Sequence, residues 1–303
     1  MAPPLRKNST ITGRGISRRS LLTGAAALGV LATGACARVD TGAAEDGGDL
    51  LDRLRDQGMV RLGIAGEIPY AYIDDQGNLT GQAPEIAKVI FKELGVERLE
   101  PVPSEFSSLI PGLASLQFDV VSAGMWITPE RCAQVIFSDP DYVTMDAFLV
   151  PAGNPLDLHD YADVAAAEGI RAATGTGWAQ GGYAIGNGVP AGSITYYPDQ
   201  VAGLDAVRQG RADVFFGTRP TIDSAAEGVS GVEATEPFLP EVDGEPQIGA
   251  GGFAFRPPET NLRNAFNEEL HKLKDSGRLL EIVEPFGFTE DDMTDLTAEE
   301  LCS

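Results

Sequence analysis

Val60-Arg61-Leu62-Gly63-Ile64-Ala65 is a short β-rich run, and after it Ile86, Val89, Ile90 and Leu94 recur at helical spacing with Gly95 placed to end the helix. A strand followed by an amphipathic helix is the start of a parallel β-α-β unit, and the pattern repeats outward from this stretch. Further strands are expected at Leu99 to Pro103 and Asp119 to Met125, with a helix over Leu109 to Leu116 between them. Thr128-Pro129-Glu130-Arg131 then starts another helix, with threonine as N-cap, proline at the first helical position and an acid in the first turn. A second series follows Pro151: strands at Ile170 to Thr174, Ile194 to Tyr197 and Asp213 to Phe216, with helices through Tyr183 and over Val201 to Gln209. Gly249 to Phe255 reads as one more strand, ahead of a helix that carries Leu262, Ala265, Phe266, Leu270 and Leu273 on one face. Two similar α/β lobes joined by extended crossings imply a cleft between them, because ligands of open α/β sheets bind beyond the carboxyl ends of the strands.

The composition agrees with such a fold and narrows the partners. Of 303 residues, 43% are hydrophobic and 22% charged, enough apolar material for one or two packed cores and too ordered a mixture for a fibrous or disordered chain. Lysine and arginine number 22 against 45 acidic residues, a surplus of negative charge that repels phosphate backbones and anionic lipid, so no nucleic-acid partner is expected. Residues 1 to 35 depart from this balance: they hold Arg6, Lys7, Arg14, Arg18 and Arg19 and no acid. A basic start followed by the short apolar run Leu21 to Leu31 is the pattern of an export signal, and the run is too short and too rich in glycine and alanine to span a bilayer. Ser17-Arg18-Arg19-Ser20-Leu21-Leu22 resembles a twin-arginine signal, and Leu31-Ala32-Thr33-Gly34-Ala35-Cys36 resembles a lipobox, with Thr33 where that box usually has leucine. The expectation is an export signal over 1–35, a lipidated Cys36, a flexible acidic tether over 36–49, and a protein held to the outer face of the cytoplasmic membrane by its lipid anchor alone.

The layout from Val60 to Phe288 resembles the type II periplasmic binding proteins that serve amino-acid-type importers. The resemblance is carried by Gly81-Gln82-Ala83-Pro84-Glu85-Ile86-Ala87, Phe118-Asp119-Val120, the Thr128 to Arg131 helix start and Gly210-Arg211-Ala212-Asp213-Val214. Within that group the chain is similar to the ectoine and hydroxyectoine binding proteins, through Glu67-Ile68-Pro69-Tyr70, Ser104 to Leu113, Ile127 to Cys132, Pro285 to Glu290 and the terminal Glu300-Leu301-Cys302. The resemblance implies a two-lobed α/β fold with a double-crossing hinge, residues 50–150 and 250–303 forming lobe one and 151–249 lobe two. It implies a monomer that binds a small zwitterionic solute and hands it to an ABC permease, without cofactor, metal or catalysis.

Site residues follow from residue chemistry and from the resemblance together. Arg131 lies in the first turn of a capped helix, where a guanidinium fork suits a carboxylate, and the resemblance adds Thr128 beside it. Across the cleft, Thr176 and Gly177 belong to a glycine turn between strand and helix whose N–H groups can approach an anion. Tyr70, Phe106 and Trp126 stand at the ends of the first strand segments and can box a flat cationic ring, with Glu67 as its counter-charge. Gly217-Thr218 stands where receptors for ordinary amino acids carry an aspartate for the ammonium group, which argues against a compact ammonium ion as ligand. Gln180 occupies a position where ectoine receptors tend to carry an acid, and Trp126 one where phenylalanine is usual. With Cys36 assigned to lipid, Cys132 and Cys302 remain to pair outside the cytoplasm. The alternatives are a polar amino-acid receptor or a dehydratase on the same fold. Against an enzyme, His159 and His271 are the two histidines and neither falls at a strand end or in a Ser-His-Asp or metal-ligand pattern.

Overall fold

A computed structural model describes residues 49–303. The expected signal, the expected lipidation site Cys36 and nearly all of the expected tether lie outside the described residues. Two sheets organise the rest. In the first, Arg98–Pro103, Met59–Ile64 and Val120–Trp126 run parallel in that spatial order. Gly249–Phe255 joins them antiparallel and also pairs with the short strands Ile136–Phe137 and Tyr142–Thr144. The second sheet repeats the plan: Ile194–Tyr197, Ala172–Gly175 and Val214–Thr218 are parallel, and Asp146–Pro151 lies antiparallel against the last, with Val232–Ala234 outside it.

Each sheet is covered on both faces, which is why its central strands are apolar almost throughout. Val120–Trp126 and Gly249–Phe255 illustrate this: all but one of their residues are buried. On one face of the first sheet, Ile86, Ile90 and Phe91 of the helix Gln82–Glu93 pack with Phe266 and Leu270 of the helix Thr260–Asp275. On the other, Leu109, Leu113 and Phe118 pack on Val121 and Met125. Each such fully buried leucine or phenylalanine contributes about 1.5–3 kcal/mol. The second sheet buries Phe148, Tyr161 and Phe216 on one side and Val207, Phe215 and Ile222 on the other.

The crossing between the sheets corrects one expected boundary. Tyr142–Thr144 belongs to the first sheet and Asp146–Pro151 to the second, so the chain leaves lobe one near residue 145 and not at 150. The return falls between Val232–Ala234 and Gly249–Phe255. Cys132 and Cys302 are bonded, with Cα atoms 5.7 Å apart, and this ties the terminal helix Ala298–Cys302 to the short helix Pro129–Cys132. Among the described residues no helix is long and apolar enough to cross a membrane.

Candidate ligand cleft

A cleft of about 290 Å³ lies between the sheets, lined by Glu67, Tyr70, Phe106, Gly124, Trp126, Arg131, Trp178, Ala179, Gln180 and Thr218. Seven of the ten expected site residues are on that wall. Thr128, Thr176 and Gly177 are not, and each has another task. The Thr128 side chain caps the helix that carries Arg131, accepting from the Arg131 N–H. The Thr176 hydroxyl donates to the Tyr197 carbonyl at 3.0 Å. Gly177 offers its carbonyl, not an N–H, to Arg131 Nη2 at 3.0 Å.

Arg131 holds the anion-seeking end. Its Nη1 donates to the Trp126 carbonyl at 2.7 Å, and the guanidinium carbon stands 5.3 Å from the centre of the Phe106 ring. Among the described residues no carboxylate forms an ion pair with it, and desolvation lowers its pKa from the ordinary arginine value. An arginine held by carbonyls and an aromatic face keeps the charge needed to receive a carboxylate.

Glu67 and Tyr70, on the same lobe as Arg131, are tied to the second sheet by a directed chain of hydroxyls. Tyr70 Oη donates to Thr218 Oγ1 at 3.0 Å, Thr218 to Thr221 Oγ1 at 3.0 Å, and Thr221 to Glu67 Oε1 at 2.7 Å. Burial pushes the Glu67 carboxyl up to about 7, against the opposing pull of the Thr221 hydroxyl. The Tyr70 ring can lie where it does because Gly124 has no side chain: at φ +59 a Cβ there would stand 2.2 Å from that ring. Tyr142 secures the same strand from behind, donating from Oη to the Gly124 carbonyl at 2.8 Å.

Two further aromatic side chains come from the second lobe, Trp178 from the turn after Ala172–Gly175 and Tyr183 from the helix Gln180–Gly186. Trp178 packs edge-on against Phe215 with ring centres 5.7 Å apart and lies over Gly175, where a Cβ would stand 2.3 Å from the indole. Tyr183 faces Trp126 across the cleft at 6.1 Å. Trp178 and Thr221 are not among the residues expected from the sequence. Trp178 follows the glycine turn directly at a strand end, a signal that was present, whereas Thr221 looked like an ordinary helix residue. Behind Gln180 lies Asp146, fully buried, whose carboxyl is also pushed up to about 7 by desolvation. The two histidines sit apart from the cleft, each against an aspartate: His159 on Asp157 at 2.9 Å and His271 on Asp139 at 2.8 Å. Among the described residues no group of three or more histidine, cysteine or acidic side chains could hold a metal ion.

Comparison with known proteins agrees with this geometry. Residues 60–289 match the family described as bacterial extracellular solute-binding proteins, family 3. A curated relative from Sinorhizobium fredii, a probable amino-acid ABC transporter periplasmic-binding protein, is 33% identical over 84% of this chain and 86% of its own. Among solved structures, EhuB in complex with hydroxyectoine superposes with a TM-score of 0.77 at 35% identity, over 84% of this chain and 97% of that one. An ancestral amino acid-binding protein described as a precursor of cyclohexadienyl dehydratase reaches a TM-score of 0.69 at 28% identity, over 78% and 99%. With a two-lobed α/β fold, a charged aromatic cleft between the lobes and a family match spanning most of its length, the chain belongs to family 3 of the bacterial extracellular solute-binding proteins.

Proposed function

We propose that the protein captures a small zwitterion whose positive charge is spread over a ring, of the ectoine or hydroxyectoine type, and delivers it to the permease of an amino-acid-type ABC importer. One observation carries the reading: the cleft pairs a guanidinium that has no carboxylate partner among the described residues with a buried carboxyl, and is lined by Tyr70, Phe106, Trp126 and Trp178. A carboxylate satisfies Arg131, and a flat delocalised cation suits the aromatic faces and Glu67 better than a compact ammonium ion does. The likeness to EhuB, solved with hydroxyectoine, supports the same class of solute. In this reading the lobes close on the solute, Cys36 anchors the exported protein, and no bond of the solute is made or broken.

Calorimetric titration against ectoine, hydroxyectoine, glycine betaine, proline, glutamine and arginine tests it. Ectoine or hydroxyectoine is expected to bind tightest, and Arg131→Ala to weaken that binding by about 2–5 kcal/mol, since a solute carboxylate would be buried without its partner. Tight binding of glutamine or arginine with none of ectoine would make the protein a polar amino-acid receptor instead.

A further inference from the structure

Asp146, the first residue of the strand Asp146–Pro151, is a fully buried acid with no cation in ion-pair reach among the described residues. Two donors hold it: the Tyr161 hydroxyl on Oδ2 at 2.7 Å and Gln180 Nε2 on Oδ1 at 2.9 Å. Gln180 opens the helix Gln180–Gly186, is 2% exposed, and lines the cleft. A carboxamide has one donor end and one acceptor end, and the carboxylate takes the donor end. The end left for the cleft is Oε1, and above about pH 7, where Asp146 is ionised, the negative charge one hydrogen bond behind the amide polarises it.

We infer that Gln180 is a specificity-determining residue whose Oε1 accepts a hydrogen bond from an N–H group of the cationic solute, and that Asp146 is the positioning residue that fixes this orientation. The inference rests on the reading of the solute as a cation that also carries a carboxylate. Glu67 then supplies one acceptor from the first lobe and Gln180 a second from the opposite lobe, while Arg131 supplies the donors. Two acceptors facing each other match a cation with N–H groups on two sides, as an amidinium or guanidinium has. A quaternary ammonium leaves both acceptors unpaired, and an unpaired buried polar group is costly. The acid thus acts through the neutral amide, its own oxygens occupied by Tyr161 and Gln180.

Calorimetric titration at pH 8 of the wild-type protein, Gln180→Leu and Asp146→Asn with ectoine, arginine and glycine betaine tests this. Ectoine and arginine carry N–H groups on a delocalised cation, whereas glycine betaine has a carboxylate and no N–H. Both variants are expected to lose about tenfold or more in affinity for whichever N–H-bearing solute the wild type takes, with no loss for glycine betaine, which leaves the Gln180 acceptor unpaired in the wild type. Asp146→Asn keeps the shape of the side chain, so thermal unfolding of both variants identifies the one that retains the fold should Gln180→Leu lose it. A wild-type preference for arginine over ectoine, with the same selective loss in the variants, would reject the ectoine reading and uphold this one. Unchanged affinities, an equal loss for all three solutes, glycine betaine as the tightest wild-type ligand, or no binding of any of them would overturn it.

Discussion

Glu67 is the residue whose chemistry should be visible in solution. Burial holds its carboxyl protonated up to about pH 7, well above the ordinary 4.5. A cationic solute favours the ionised form, so binding below about pH 7 must expel a proton, and affinity falls as the pH drops below that point, by up to about tenfold per unit. Titrations at pH 6 in two buffers of different ionisation enthalpy are expected to reveal that proton. Equal affinity at pH 6 and pH 8 would mean that Glu67 does not meet the cation. Thr221→Val removes the hydroxyl that opposes the upward shift, and should move the fall in affinity to higher pH. At this scale the sequence was informative about charge and less so about contact. Arg131 could be placed because its helix start has a recognisable cap, and Glu67 because it sits just before Tyr70. Thr128 and Thr176 are expected at the solute, yet in the structure their hydroxyls serve the backbone, a role that the same residue types fill at any helix cap or turn.

Among elements, the terminal helix Ala298–Cys302 shows how a distant segment supports the site. The Cys132 to Cys302 bond and the hydrogen bond from the Ala298 N–H to Asp139 Oδ1 fasten it beside the four-residue helix that bears Arg131. Cys302→Ser is expected to cost about 2–4 kcal/mol in urea unfolding and to weaken solute binding as well, because so short a helix has little stability of its own. An unchanged unfolding midpoint would show that the bond constrains nothing. Most strands and long helices were legible because their apolar residues recur with a clean period, as in Ile86, Val89, Ile90 and Leu94. The lobe boundary expected at 150 puts residues 146–150 of the strand Asp146–Pro151 on the wrong side, for an equally physical reason. Tyr142 to Val150 contains no glycine or proline to mark a turn, so the one-residue step between sheets at Met145 leaves no trace in the pattern.

For the whole molecule, three buried acids set the response to pH. Glu67, Asp141 and Asp146 are each pushed up to about 7 by burial, from ordinary values of 4.5 and 3.8. Between about pH 4 and 7 the folded protein therefore keeps protons that the unfolded chain has released, so stability is greatest at the acid end and declines as the pH rises through that window. The urea midpoint is expected to be higher at pH 5 than at pH 8. Repulsion among the 45 acidic residues works in the same direction, but about 1 M salt screens it and leaves the buried part. A midpoint that rises from pH 5 to pH 8 at that salt would contradict the buried assignment. The two-lobe plan itself was readable from the repeated alternation of strand and helix, whereas the way the lobes meet was not, since contacts such as Ile68 N–H to Gln200 Oε1 join residues with no shared period. The meeting of the lobes also has an optical consequence. The chain contains two tryptophans, and Trp126 from one lobe and Trp178 from the other line the same cleft. The intrinsic ultraviolet emission of the protein thus comes from the walls of this candidate site, so a change in wavelength or intensity on mixing would report solute capture directly, with no dye attached, and each single Trp→Phe variant would report on one lobe alone.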